Sequence, residues 1–137
     1  MRELRRASVL LALLAGQACA GLAPQACGAG LTRMIQAQLF FGRDMERGAT
    51  VSDAQWREFT DQEITPRFPQ GFSVVDVAGQ YRDQTAAIVR EPSKQVVIFT
   101  RDIGADEPKL NAIRDIYKQR FKQESVLLVQ TPVCAGF

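Results

Sequence analysis

Apolar and polar positions alternate with a period of two from Thr32 to Gly42, placing Ile35, Ala37, Leu39 and Phe41 on one face and Gln36 and Gln38 on the other. That period predicts a strand, ended by Gly42. From Ser52 the period changes. Trp56, Phe59 and Ile64 recur at helical spacing, Gln55 stands three residues after Ser52 as a capping box requires, and Thr65-Pro66 stops the run. The spacing predicts a short amphipathic helix. Phe72 to Ala78 and Ile88 to Thr100 are rich in β-branched residues and flank a polar turn around Arg82-Asp83, which predicts two more strands. Pro92 has no N–H to give a sheet ladder, so a bulge or an edge register is expected there. A second helix is expected from near Asp106, with Pro108 in its first turn and Leu110, Ile113, Ile116, Tyr117 and Phe121 as its buried stripe. Val126 to Val129 supplies a last strand.

The order strand, helix, strand, strand, helix, strand is that of a ferredoxin-like βαββαβ sandwich. This is an α+β fold with a four-stranded antiparallel sheet and two helices on one face. In that topology the first and last strands are antiparallel neighbours, so the start of one meets the end of the other. Cys27 lies just before the first and Cys134 just after the last, and fold and disulfide imply each other. On the chain-entropy model such a closure is worth about 4 to 5 kcal/mol, less any strain. A helix layer covers only one sheet face. The other carries Met34 and Phe40 beside Gln36 and Gln38, and the third strand is apolar on both faces. Cover for that open face is expected from the long hairpin or from a second copy, giving a homodimer.

The N-terminus places Arg2, Arg5 and Arg6 before an apolar stretch from Ala7 to Ala15, the layout of a secretory signal. The stretch is far shorter than the roughly 20 residues of a membrane span. Two processing routes are open. Ala18-Cys19-Ala20 fits cleavage after Ala20 and soluble release, which is favoured. Cys19 is also a candidate lipid acceptor, although Gly16 and Gln17 suit that route poorly. The expected organisation is residues 1–20 as signal peptide, 21–30 as a flexible segment, and 31–137 as a single domain. The expected location is periplasmic or extracellular, with membrane contact only through the signal or a lipid on Cys19.

The full chain has 17 Lys and Arg against 15 Asp and Glu, but residues 1–20 hold three of the basic residues and one of the acidic, so the remainder is balanced. Nothing then suggests the phosphate-neutralising surface that nucleic acids need. With Cys19 removed or lipidated, Cys27 and Cys134 remain as a pair suited to an oxidising compartment. The chain contains no histidine, and two thiolates make an incomplete metal site, so neither a metal nor a cofactor is expected.

Candidate chemistry gathers at the hairpin end of the sheet. Arg43, Tyr81, Arg82, Arg90, Glu91 and Lys94 form a ligand-facing group there, and the arginines suit a small anionic ligand. A solvated hairpin with weak ion pairs would use the same residues. Ser93 beside Lys94 makes a poor nucleophile and base, because strand neighbours point to opposite faces. Glu58, Asp61 and Glu63 are spread around a helix, and Trp56 and Phe59 belong to the core stripe. An enzyme would use Glu91 or Asp83 as a carboxylate base in a cavity at that end.

Several segments together carry a further signal: Gln38-Leu39-Phe40-Phe41-Gly42-Arg43, Thr65-Pro66-Arg67-Phe68-Pro69 with Gly71, Gly79-Gln80-Tyr81-Arg82, Arg90-Glu91-Pro92-Ser93-Lys94, and Pro132-Val133-Cys134. In this order they resemble the bacterial family of exported proteins known as domain of unknown function 3574. The resemblance implies an envelope location and a shared architecture, and no activity, cofactor or catalytic residue. The function expected is a small-ligand-binding or interaction domain of the cell envelope, with the carboxylate enzyme and a purely structural envelope protein as alternatives.

Overall fold

The computed structural model describes residues 26–45, 48–83 and 85–137. The expected signal peptide, Cys19 and residues 21–25 lie outside them. Strands β1 (Thr32–Gly42), β2 (Ser73–Arg82), β3 (Ile88–Thr100) and β4 (Leu127–Ala135) form one antiparallel sheet in the order β2-β3-β1-β4. Helix α1 (Asp53–Phe59), continued by a π-helical turn over Thr60–Ile64, follows β1, and helix α2 (Ile103–Phe121) follows β3. This is the ferredoxin-like arrangement. All three strand pairings keep one-to-one register, so residues alternate strictly between the face under the helices and the open face.

The local signals act as their chemistry requires. Ser52 accepts a hydrogen bond from the Gln55 N–H at 3.2 Å while Gln55 Oε1 accepts one from the Ser52 N–H at 2.9 Å, completing the capping box. Helix α2 begins three residues before Asp106, because Asp102 caps it by accepting from the Ala105 N–H at 3.0 Å. Pro108 therefore sits inside the helix, beyond its first turn, and the helix forgoes one internal bond there.

Pro92 makes no bulge, since β3 runs straight through it in register with β2, and it takes the edge register, because the β1–β3 ladder ends one residue away at Gly42 opposite Ser93. Its carbonyl accepts from the Arg43 N–H at 3.0 Å, so its nitrogen faces the β1 side as well. The Arg43 carbonyl on that side is already taken by the Val51 N–H at 2.8 Å, so the missing donor costs the ladder nothing.

The strands near the termini are longer than their apolar cores. β2 extends past Ala78 to Arg82, and β4 runs to Ala135, so Cys134 lies within β4 rather than after it. It faces Arg33 across the ladder, and the chain turns back before β1 to bring Cys27 to it, with Cα atoms 5.6 Å apart in the disulfide. Pairing of β1 with β3 stops at Gly42 opposite Ser93, so the hairpin beyond Pro92 and Ala78 projects as a two-stranded ribbon.

The core lies between the sheet and the helices. Ala37, Leu39 and Phe41 of β1 with Val96 and Ile98 of β3 meet Trp56, Phe59 and Ile64 from the first helical segment and Leu110, Ile113, Tyr117 and Phe121 from α2. Phe41 joins the sheet to an aromatic cluster, with edge-on contacts to Tyr117 at 4.7 Å, Trp56 at 5.4 Å and Phe59 at 5.8 Å between ring centroids. Tyr117 is fully buried, and its hydroxyl donates to the Gly42 carbonyl at 2.8 Å, pinning the end of β1 to α2. Tyr117→Phe removes that donor and leaves a half-buried carbonyl unmet. We expect a loss of about 1 to 3 kcal/mol in urea unfolding, with an unchanged denaturant slope.

Candidate functional site

The six residues of the hairpin group do not share one surface. By register, Tyr81 and Glu91 are on the open face, whereas Arg82, Arg90 and Lys94 are on the helix side. Arg43 follows β1 and is turned inward. Its Nε donates to the Val51 carbonyl at 2.7 Å and its Nη2 pairs with Asp53 at 2.8 Å, which closes the segment between β1 and α1. Lys94 pairs with Asp76 across β2 and β3, and Arg82 donates to the Ala86 carbonyl at 3.3 Å inside the hairpin. Much of the group's donor capacity is thus spent within the fold.

Glu91 is different. It sits half-buried on β3 opposite Gly79, beside the end of β1, and its carboxylate fills the space that a side chain on Gly42 would need. A Cβ on Gly42 would fall 2.7 Å from a Glu91 carboxylate oxygen, and one on Gly79 would fall 3.2 Å from Ser93 Oγ. Two glycines thereby clear a notch for Glu91 and the buried Ser93. Burial pushes the Glu91 carboxyl above the ordinary glutamate range, the Asp44 backbone N–H pulls it down, and the Asp44 carboxylate raises it again. The nearby Tyr81 hydroxyl is raised as well, by local desolvation and then by the Glu91 charge.

Asp83 has the opposite character. It is held below the ordinary aspartate range by the Thr85 hydroxyl and the Ala87 N–H, with hydrogen bonds of 2.8 and 2.9 Å that shape the hairpin turn. A depressed, turn-capping carboxylate is a weak base. On the first helical segment, Glu63 is bound by Arg67 at 2.9 Å and Arg120 at 2.7 Å, while Glu58 accepts from Gln62 at 3.1 Å, so these acids stabilise helix packing. Ser93 and Lys94 point to opposite faces.

Across the rest of the open face the side chains are apolar or uncharged. They include Val75 and Val77 of β2, Val97 and Phe99 of β3, Met34 and Phe40 of β1, and Leu127, Val129 and Val133 of β4. Several are well exposed, with Val75 at 47 %, Phe99 at 40 %, Leu127 at 58 % and Val129 at 37 %. Among the described residues, Glu91 is the one charged side chain at the open-face positions of the four strands. At the end of this face away from Glu91 lies a cleft of about 720 Å³. Met34, Val97, Phe99, Phe68 and Phe72 line it, with Arg101 and Lys109 at its rim. Sequence reasoning missed this cleft. Its signal was the pair of aromatics around Pro69-Gln70-Gly71, which fold against the sheet from a loop with no periodicity of its own.

A family model described as "Protein of unknown function (DUF3574)" matches residues 36–137, and the chain belongs to that family. No curated protein matches it in sequence. Among solved structures, a phage SAM lyase in complex with S-methyl-5'-thioadenosine is similar with a TM-score of 0.57 and 21% identity, over 81% of this chain and 95% of that one. The same lyase in its apo state gives 0.56 at 21% identity, over 84% and 98%. CutA from Synechococcus elongatus gives 0.52 at 14% identity, over 79% and 87%. At these identities the likeness is one of fold.

The Glu91 notch yields a pH test. A carboxyl whose folded pKa is raised adds most to stability below the unfolded value and loses that contribution as pH rises through the folded one. Glu91→Gln should therefore melt higher than the parent above pH 6, with the gap closing toward pH 4. Gly42→Ala should displace the carboxylate and return its pKa toward the ordinary glutamate value by carbon-detected NMR titration. A Glu91 that already titrates like a free glutamate would refute the notch.

Proposed function

We propose that the chain is a non-enzymatic binding domain of the cell envelope that works through the open face of its sheet, with Glu91 as the one charged contact on that face. The observation that carries this reading is the distribution of charge. A solvent-facing antiparallel sheet ordinarily alternates apolar and polar positions, with charge on the wet side. In this sheet Asp76, Arg82, Arg90 and Lys94 are on the helix side, and apolar residues are exposed on the other. An apolar face larger than a few hundred Å² is the mark of a contact surface.

Export is part of the proposal. The disulfide suits an oxidising compartment, and among the described residues no helix is long and apolar enough to cross a membrane. A small anionic ligand would have to use Arg82 and Arg90 on the opposite side of the ribbon, without Arg43. The enzymatic alternative retains one favourable observation, the raised pKa of Glu91, which suits a general base. The fold likeness to the phage lyase makes S-methyl-5'-thioadenosine a sensible ligand to include in a binding panel, and nothing more.

Photo-crosslinking in intact cells tests the reading. A crosslinking residue at Val75, Leu127 or Val129 should give discrete adducts that diminish with Glu91→Lys. The same residue at Val74 or Ile88, exposed on the helix side, should not. Equal labelling from both sides would contradict the assignment.

A further inference from the structure

We infer that the open face docks against a second copy of this chain, with strand directions reversed so that Glu91 of each copy meets Arg101 of the other. The inference deepens the proposed contact surface and rests on it. Two features of the face select the occupant and its orientation.

The first is size. Four strands spaced about 4.8 Å apart, each presenting roughly ten residues at about 3.3 Å per residue, give a face of about 19 by 33 Å, or roughly 600 Å² in plan. Side-chain relief and the flanking loop bring that toward the roughly 800 Å² that each partner buries in a stable complex. The face is mostly uncharged, so a second copy offers it a surface of the same area and polarity. Two sheets stacked about 10 Å apart would cover Val75, Phe99 and Val129 together.

The second is charge. Glu91 stands at one end of β3 on the open face, and Arg101, just past the other end, lines the cleft together with the open-face residues Met34, Val97 and Phe99 and with Asp106 and Lys109 of α2. Ten residues of strand put them roughly 33 Å apart. Parallel stacking of two copies would set Glu91 against Glu91, and like charges across an interface are unfavourable. Reversing one copy about a two-fold axis near the middle of the sheet sets each Glu91 against an arginine instead. Near that axis lies the amide pair Gln95 and Gln38, joined by a 2.6 Å hydrogen bond, and an amide pair both donates and accepts, so it can face its own copy. Glu91, already partly buried in the notch, would then gain a guanidinium partner to offset its loss of water.

Sedimentation equilibrium of the disulfide-bonded chain tests this. The parent should sediment at the mass of two chains at about 100 µM, since interfaces of standard size have dissociation constants of micromolar or below. Val129→Lys should give a folded monomer, whereas the helix-side control Val74→Lys should remain paired. Glu91→Arg and Arg101→Glu should each weaken pairing by about tenfold or more, and combining them should restore it, because the charges are exchanged and not lost. Circular dichroism confirms that each variant is folded. A parent that is monomeric at that concentration, or single swaps whose losses simply add in the double variant, would overturn the inference. A monomer whose open face still crosslinks to other proteins in cells would overturn self-docking and leave the contact surface standing. A monomer without such adducts removes both.

Discussion

The structure depends on Tyr117. Its ring fills the centre of an aromatic cluster that joins both helical segments to β1, and its hydroxyl reaches through that cluster to the last carbonyl of β1. The fold makes the hydroxyl reluctant to ionise, because burial raises its pKa well above that of an ordinary tyrosine. It therefore remains a donor well beyond the pH at which an ordinary tyrosine ionises. The bond fixes where β1 stops. Because β1 stops at Gly42, the β2–β3 hairpin projects beyond it, and Glu91 comes to rest in the space that Gly42 leaves clear. One side chain on α2 thus sets the geometry of a notch on the far side of the sheet.

The same layering explains the division of charge. The helices cover the middle of the sheet and leave the projecting ribbon bare, and on its helix side the ribbon carries the exposed Arg82 and Arg90. These residues sit in water, where ion pairs cost and contribute little. The open face follows the opposite rule. It keeps exposed valines and a phenylalanine out of reach of the helices, and admits a single carboxylate that is partly desolvated. Such a carboxylate is held at a cost, which is consistent with a surface shaped for contact.

Much of this was legible in the sequence, for identifiable reasons. The two-residue period of Thr32 to Gly42 and the apolar run of β3 fixed those strands to the residue, and the disulfide followed from topology. Boundaries failed where local chemistry outweighed periodicity. Asp102 started α2 ahead of a proline that reads as a beginning, and β4 continued through Pro132, which pairs with Ile35 of β1 although a proline argues against a strand. The candidate site was only partly legible. Proximity along the hairpin grouped Arg90 with Glu91, but alternation sends neighbours to opposite faces. The significance of Glu91 comes from Gly42, nearly fifty residues earlier, and no local pattern could reveal that contact.

The claim most directly open to test is that a second copy of the chain covers the open face. Solvent paramagnetic relaxation of methyl groups measures it directly, residue by residue, in the purified chain at the concentration used for sedimentation. If a second copy covers that face, the methyls of Val75, Val97 and Val129 will be shielded from a soluble gadolinium probe, while Val74 and Ile88 on the helix side relax as exposed groups. Open-face methyls that relax as fast as Val74 and Ile88 would contradict it.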